Sequence, residues 1–297
     1  MRKLLIVALL LGSNVFAQQE PQFTQFWNAL PYFNPATGAR EYDHEAYVNV
    51  RDQWTKAYGN PSTQLLSYST KLKGINSSVG GSYLHEDIGF TINHKAKFTY
   101  AYHLRLGRKS TLSLGVAAGV NYLKNSDEII WLYPPSSSFY APSYGFTADF
   151  GVAYTWRGLD VGVSLTQLPQ TKYTNGYRDA LHFFGYLGYD IQLSRLFKLR
   201  PQLFYKSDMN FQSLDLNMMA YYKNKIYTGV TFRNGDCWGF FAGWDIKERF
   251  RVSYAYDMWF SKLNNGIVGG THEIGLGFLF KKPGFPKGAR IISDPNF

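Results

Sequence analysis

Residues 95–125 have the sequence KAKFTYAYHLRLGRKSTLSLGVAAGVNYLKN. Apolar side chains take every second position on both sides of a polar link at 107–110: Ala96, Phe98, Tyr100, Tyr102, Leu104 and Leu106, then Leu112, Leu114, Val116, Ala118, Val120 and Tyr122. Successive side chains of a β-strand point to opposite faces, so each arm has one apolar face and one polar or small face. Each arm has about eleven residues, the length of a tilted strand that crosses a bilayer. The pattern predicts a hairpin of a transmembrane β-barrel, with a long soluble hairpin as the alternative.

The N-terminus has the three parts of a secretory signal peptide. Arg2 and Lys3 precede an apolar run at 4–11, and Ala17 is a small residue at the expected cleavage site. Nowhere else does the sequence approach the ~18 apolar residues of a membrane-spanning helix. The mature chain would therefore cross a membrane only as strands. Such strands must close into a barrel, because lipid offers the backbone no hydrogen-bond partners.

Composition is consistent with such a barrel. The 297 residues are 18% aromatic and only 18% charged, and they include 28 glycines. Barrels place aromatic residues at the membrane interfaces, although a sugar-binding β-protein would share this composition. Cys237 is the only cysteine, so no internal disulfide can form. Without residues 1–17 the net charge is +8, which favours anionic lipid, polysaccharide or acidic protein as partners rather than nucleic acid.

We predict an all-β protein, a closed antiparallel transmembrane barrel of about 14 strands within 44–281. The strands are expected near 44–51, 63–73, 76–86, 95–106, 111–122, 144–156, 158–168, 181–191, 198–207, 213–223, 225–233, 236–246, 249–259 and 271–281. The alternation is weakest at 44–51, at 76–86 and at 198–207, where Pro201 interrupts it.

The two ends of the mature chain do not resemble strands. Residues 18–43 place five aromatic side chains among Pro21, Pro31 and Pro35, which exclude a regular ladder or helix. Because disordered segments are poor in aromatic residues, we expect this segment to pack against the inner wall or the mouth of the barrel. The proline-rich residues 282–297 are expected to form a short periplasmic tail.

The connections between the predicted strands alternate in length. Long links are expected at 52–62, 87–94, 123–143, 169–180 and 260–270, and short ones at 107–110, 157, 224 and 247–248. Outer-membrane barrels have long external loops and short periplasmic turns, which predicts that both termini are periplasmic. The links at 208–212 and 234–235 should be external but are short.

Basic residues gather at the short turns. This predicted periplasmic rim consists of Lys71, Lys73, Arg108, Lys109, Arg157, Arg195, Lys198, Lys223, Lys225, Lys247 and Arg249. Two interpretations are open: the cations anchor the barrel on lipid phosphates, or they form a docking ring for an acidic periplasmic partner.

The sequence contains no catalytic or metal-binding pattern that we can identify, and neither an enzyme nor a cofactor is expected. His272 and Glu273 are neighbours, so on a strand they face opposite sides. Inward-facing charges are predicted at Asp149, Asp160, Asp190, Asp215, Asp245 and Asp257, with Arg51, Lys97, Arg105 and Arg233 as candidate partners. Such residues would line an ion-selective channel or close a lumen through salt bridges, and the mixed signs favour the closed lumen.

Three stretches together resemble the PorP/SprF family. Its N-terminal pattern, D-P-x-F-S-Q followed by N-P-A-x-x-G, is similar to EPQFTQ at 20–25 and NPATG at 34–38, where Glu20 and Thr24 depart from it. Its R-x-Q-W…G-x-P-x-T pattern resembles 51–63, and its S-H-E-[IL] pattern resembles 271–274, with Thr271 for serine. The matched positions are Pro21, Gln22, Phe23, Gln25, Asn34, Pro35, Arg51, Gln53, Trp54, Gly59, Pro61, Thr63, His272 and Glu273.

The resemblance implies an outer-membrane, non-enzymatic component of the type IX secretion system. Its implied partners are periplasmic ring proteins, a peptidoglycan-binding protein, secreted or surface adhesin substrates, including those of gliding motility, and outer-membrane lipid. The compact length favours the core-component, PorP-like branch over the adhesin-dedicated branch. A porin or hydrophobic-solute transporter and a surface carbohydrate-binding protein remain alternatives to a scaffold.

Overall fold

The computed structural model describes residues 20–125, 142–173, 178–260 and 269–280. The predicted signal peptide and the predicted tail lie outside the described residues, as do parts of the links at 123–143, 169–180 and 260–270. Among the described residues, no helix has the length and apolar character needed to cross a membrane.

The described residues form one ring of antiparallel strands. The strands are β1 (His44–Asp52), β2 (Ser62–Lys71), β3 (Ser77–Ile88), β4 (Thr91–Gly107), β5 (Ser110–Asn125), β6 (Ser143–Trp156), β7 (Leu159–Leu168), β8 (His182–Tyr189), β9 (Ile191–Gln192), β10 (Phe197–Ser207), β11 (Gln212–Tyr222), β12 (Ile226–Arg233), β13 (Cys237–Ile246), β14 (Phe250–Trp259) and β15 (Thr271–Phe280). Each long strand pairs with the next, and β15 pairs with β1 to close the ring. The two-residue β9 lies beside β10 only, so the barrel has fourteen full strands, as predicted.

The faces of the strands follow the alternation in the sequence. Phe98 on β4 is 61% exposed toward the outside, whereas its neighbour Lys97 is 6% exposed. The same contrast between apolar outer faces and mostly polar or small inner faces recurs along the other strands, with large inward-facing aromatic residues at Phe184, Phe204 and Phe241. An apolar outer wall and a polar interior are the arrangement of an outer-membrane barrel.

One local expectation differs from the structure, and one weakly patterned strand is confirmed. The link predicted at 87–94 is a two-residue connection at 89–90, because the polar residues on either side of it continue the β3–β4 ladder. Pro201 does lie within β10, opposite Met218 of β11. It faces the break between β8 and β9, so its missing N–H falls where the ladder is interrupted.

We call the end where β1 begins and β15 finishes the turn end, and the opposite end the loop end. Residues 20–43 run through the lumen from the loop end to the turn end and contain no strand. Within them lie two 3-10 turns, Phe26–Asn28 and Pro35–Thr37, and one helical turn, α1 (Leu30–Phe33). We call residues 20–43 the plug.

Candidate functional site

The plug is fixed first at the seam where β1 meets β15. The Arg51 guanidinium lies 2.7 Å from an Asp257 oxygen and 2.9 Å from a Glu273 oxygen, and all three side chains are at most 2% exposed. The backbone N–H groups of Thr24 and Gln25 donate to the two Glu273 oxygens at 2.8 and 2.9 Å. The Thr24 hydroxyl lies within 2.7 Å of the Asp257 carboxylate. Plug, first strand and last two strands thus share one buried charge network.

A second network holds the start of the plug near the loop end. A Glu20 carboxylate oxygen lies 2.6 Å from Lys95 Nζ, and the other accepts a 2.6 Å hydrogen bond from the Tyr32 hydroxyl. Gln167 and His182 also bond to Glu20. Burial alone would raise the pKa of the Glu20 carboxyl, but the nearby positive charges, chiefly that of Lys95, outweigh it and lower the pKa below its ordinary 4.5.

The third anchor lies where the plug crosses β5, β6 and β7. The Asn34 side-chain amide donates to the backbone carbonyls of Val152 and Val163 at 3.1 and 3.0 Å. Glycines face this turn: a Cβ at Gly151 would lie 2.9 Å from Pro35 Cδ, and one at Gly115 would lie 2.6 Å from the Ala36 Cα. Only a wall without side chains allows the plug backbone to come this close.

Aromatic rings fill the space between these anchors. Phe26 stacks on Phe204 with ring centroids 4.7 Å apart, and Phe33 lies 4.9 Å from Phe184. Trp27 lies 4.9 Å from Phe241 on another wall. Burial of a whole phenylalanine side chain stabilises a folded protein by about 1.5–3 kcal/mol. The rings therefore stabilise the plug in the lumen, and the ion pairs fix its position.

The predicted inward-facing aspartates all form ion pairs in the lumen or at its mouth. The pairs are Lys97–Asp149, Arg40–Asp160, Arg200–Asp160, Lys198–Asp190, Arg200–Asp190, Arg233–Asp215, Arg251–Asp245, Arg51–Asp257 and Arg233–Asp257. Among the proposed partners, Arg105 differs: its side chain is exposed near the turn end of β4, with no ion pair to another described residue. It lies past the part of β4 that the plug covers. The sequence pattern did not identify Arg40, Arg200 and Arg251 as partners of the aspartates. Arg200 and Arg251 occupy inward-facing positions of β10 and β14, which alternation along these strands could have indicated.

The residues that carry the family resemblance fall into two groups. The first group belongs to the anchors described above: Arg51, Glu273, Gln25, Asn34 and Pro35. Phe23 belongs to the aromatic core, with its ring centroid 6.2 Å from that of Phe33, and Pro21 and Thr63 are also buried. The Gln22 amide donates to Ser213 at 3.0 Å.

The remaining motif residues shape the loop end. The Trp54 ring lies 5.4 Å from that of Trp259, the Gln53 N–H donates to the Pro61 carbonyl, and Gly59 has a φ of 65°. His272 faces outward and shares a 2.7 Å hydrogen bond with the Tyr254 hydroxyl, on the opposite side of β15 from Glu273.

The predicted basic rim lies at the turn end. Arg108 and Lys109, Arg157, and the connections 223–225 and 247–249 lie at hairpin turns, while Lys73 and Arg195 lie in the neighbouring connections. Lys71 and Lys198 differ from the others: Lys71 Nζ is 3.8 Å from Asp43, and Lys198 faces the lumen mouth, 3.4 Å from Asp190 and over the Tyr221 ring.

Within the described ranges, no group of three or more His, Cys, Asp or Glu side chains is arranged to hold a metal ion. Cys237 is 1% exposed and accepts a hydrogen bond from Arg233 at 3.3 Å. Most buried charges of the lumen form ion pairs with one another, which suits packing of the lumen. Among the described residues Glu86 and Lys206 are buried without an ion pair, and Lys206 Nζ donates to the Glu20 backbone carbonyl at 2.9 Å.

Solved outer-membrane channels share this fold. The CymD monoaromatic hydrocarbon channel is similar with a TM-score of 0.53 and 11% identity, over 86% of this chain and 93% of that one. A FadL homologue from Pseudomonas aeruginosa has a TM-score of 0.51 and 9% identity, over 85% and 94% of the two chains. The toluene transporter TbuX from Ralstonia pickettii has a TM-score of 0.50 and 11% identity, over 85% and 94%. At these identities the likeness shows the fold alone.

Comparison with curated proteins finds no match. The family described as type IX secretion system membrane protein PorP/SprF matches residues 15–278, which include all three motifs and the whole barrel except the last two residues of β15. The resemblance noted in the sequence is thereby confirmed. This chain, an outer-membrane β-barrel with a plugged lumen, belongs to the PorP/SprF family of type IX secretion system membrane proteins.

Proposed function

We propose that this protein is a non-catalytic scaffold in the outer membrane, which links periplasmic parts of the type IX secretion machinery to secreted or surface-anchored proteins. The filled lumen is the observation that supports this role. Residues 20–43 cross it and are bonded to opposite walls, at Glu273, at Lys95 and at Val152. A solute channel needs an open path, whereas a scaffold needs a rigid surface.

In this proposal the turn end faces the periplasm, because barrels of this class have short turns on that side. Its basic turns bind an acidic surface of a periplasmic component, a ring protein or a peptidoglycan-binding protein. Lipid phosphates are the competing ligand for the same cations. The modest loops favour the PorP-like, core-component branch of the family, and the loop end faces the secreted substrates.

The test is affinity purification from native membranes. In one variant, Lys223, Lys225, Lys247 and Arg249 are replaced by glutamine. In the control variant, two cations near the loop end, Lys56 and Arg178, are replaced in the same way. We expect the first variant to lose the periplasmic components that the wild type and the control retain. Equal recovery from all three proteins would remove the docking role of the turn end.

The fold does not separate a scaffold from a porin or hydrophobic-solute transporter, since hydrocarbon channels share it. Conductance in planar bilayers does separate a scaffold from a porin. We expect the wild type to conduct no more than the lipid alone, and open, ion-selective pores would favour the channel.

A further inference from the structure

The first described residue, Glu20, lies inside the lumen near the loop end. It is 2% exposed and is bonded to four residues of the barrel wall: Lys95, Gln167, His182 and Lys206. These partners lie close to the beginnings of β4 and β8 and close to the ends of β7 and β10. The connections β3–β4, β7–β8 and β10–β11 all belong to the loop end, so the plug starts there.

The plug finishes at the opposite end of the barrel. Arg40 is paired at 2.8 Å with Asp160, the second residue of β7, which begins at the turn end. The Asp43 N–H donates to the Phe280 carbonyl at 2.9 Å, where β15 finishes. The plug therefore crosses the lumen once before the chain enters β1.

The strands and the plug together decide at which end each terminus leaves the barrel. Fourteen full strands are an even number, so the start of β1 and the finish of β15 lie at the same end. The single crossing by the plug then moves the beginning of the chain to the other end. The prediction that both termini are periplasmic counts the strands alone, because the sequence does not show that residues 20–43 pass through the lumen.

The chain before Glu20 cannot return to the turn end through the lumen. The space beside Glu20 is filled by the plug and by rings that are at most 4% exposed: Phe23, Phe26, Phe33, Phe184 and Phe204. Only Gln18 and Gln19 lie between the predicted cleavage site and Glu20. Two extended residues span at most about 7 Å, whereas the apolar band of such a barrel is about 25 Å tall.

We propose that the N-terminus of the mature chain lies at the loop end, opposite the end at which the chain leaves β15. With the turn end in the periplasm, the N-terminus is displayed on the cell surface, on the side of the secreted proteins. The surface location rests on the barrel orientation in the proposed function, whereas the placement of the two termini at opposite ends does not. The leader must also be removed before the plug takes its place, because a leader held in the inner membrane keeps residue 20 on the periplasmic side.

The first experiment labels cysteines on intact cells with a membrane-impermeant maleimide. Cys237 is 1% exposed, so the wild type gives the unlabelled background. One variant carries a flexible Gly/Ser spacer with a single cysteine between Gln19 and Glu20, long enough to clear the loops. Tyr58→Cys marks the loop end and Asn224→Cys the turn end, and heat-modifiable gel mobility checks that each variant is folded. We expect label at the spacer and at position 58 on intact cells, and at position 224 only after the outer membrane is permeabilised.

The other outcomes separate the proposal from the function on which its surface location rests. Label at position 58 but not at the spacer would overturn the proposal and leave the barrel orientation intact. Label at position 224 but not at position 58 would reverse the orientation and remove the surface location. A spacer that is labelled together with position 224, and apart from position 58, would overturn the proposal in either orientation.

The second experiment does not depend on the membrane. Spin labels on purified protein pair Gln19→Cys with Tyr58→Cys or with Asn224→Cys, and pulsed electron paramagnetic resonance measures the two distances. Lys95, which holds Glu20, lies four residues after the start of β4 at the loop end and twelve before its finish at the turn end. We expect the distance to position 224 to exceed that to position 58 by roughly 10–20 Å. Equal distances, or a shorter distance to position 224, would overturn the proposal.

Discussion

The two ends of the barrel use charge in different ways. Near the loop end, Glu20, Arg51 and Glu273 are at most 2% exposed; Arg51 is paired with Glu273, and Glu20 with Lys95. At the turn end, Lys223 and Lys247 lie on exposed turns. Buried pairs of this kind fix a structure, whereas exposed cations contribute little to stability and are available to a partner. The comparison separates the part of the molecule that closes the lumen from the part that is open to recognition.

The turns at the two ends also differ in which residues adopt the left-handed backbone conformation. Glycine takes the left-handed conformation in four connections of the loop end, at Gly59, Gly89, Gly235 and Gly269. Three turns of the turn end instead place a cation there, with φ of 45° at Arg157, 53° at Lys223 and 51° at Lys247. Each end has exceptions, such as Gly158 and Met209. A residue with a side chain costs roughly 1–2 kcal/mol in the left-handed conformation. Arg157, Lys223 and Lys247 therefore occupy positions where glycine would fit the backbone at a lower cost.

The largest expected effect is that of Arg51→Ala near the loop end. It leaves Asp257 and Glu273 buried without their main cation, and breaking a buried pair in this way costs about 3–5 kcal/mol. Urea unfolding in lipid vesicles, followed by tryptophan fluorescence, measures the change. The matched variant Arg105→Ala, at an exposed position of β4, should change the free energy of unfolding by less than ~0.5 kcal/mol. Equal effects of the two variants would end the distinction between the buried network and the exposed cations.

Gly151→Val tests whether the plug needs the bare wall of the barrel. The added side chain enters the space of Asn34 and Pro35, and overpacking of this kind costs about 1–3 kcal/mol. Because the plug must shift, we expect ion conductance in planar bilayers to rise above that of the wild type. Gly185→Ala is the control, since a Cβ there would lie 3.6 Å from Phe183 Cε1, an ordinary contact. A Gly151→Val protein that is as stable as the wild type and conducts no more ions would show that the plug is not held at this wall.

Glu20→Gln sharpens the comparison through its pH dependence. The pKa of Glu20 is lower in the folded protein than its ordinary 4.5, so its carboxylate stabilises the fold fully above pH 4.5. That stabilisation is lost as the pH falls from 4.5 through the folded-state pKa. We expect the variant to be less stable than the wild type by about 1–3 kcal/mol at pH 7, with a smaller difference at pH 3.5. A difference that grows on acidification would contradict the ionised Glu20–Lys95 pair.

The smallest expected effect is that of Lys247→Gly at the turn end. Glycine relieves the left-handed conformation but adds freedom to the unfolded chain, so the free energy of unfolding should stay equal or rise by up to ~1 kcal/mol. Recovery of periplasmic components in affinity purification should nevertheless fall. The control Gly235→Ala, at the loop end, should lower stability without changing recovery. A Lys247→Gly protein that is less stable and equally able to bind would reverse the assignment of roles to the two ends.

The sequence predicts the wall of the barrel well because each strand carries its own evidence. The alternation of apolar and polar residues is visible in a short stretch of sequence. It predicts the strand at 95–106 and shows that Asp149 and Asp257 face the lumen. It failed at 87–94, where polar residues such as Asn93 continue the strand, and it was weakest near Pro201. At both places the residue type alone does not reveal whether the backbone is still paired.

The interior of the barrel is harder to predict because its partners are far apart in the chain. Glu20 and Lys95 are 75 residues apart, and Thr24 and Glu273 are 249 apart. Parity indicates that Lys95 points inward, but it does not show which part of the plug lies opposite. The family motifs gave a further indication, since Gln25, Arg51 and Glu273 meet at the seam, but their sequence patterns do not indicate that they touch.

The path of the plug constrains the order in which the molecule assembles. The wall stays open along one side until β15 joins β1, since these two strands come from opposite ends of the chain. Arg51 and Glu273 approach each other across that gap with Thr24 between them. We therefore expect the N-terminal segment to settle while the gap is open and to act as an internal template on which the last strand is laid.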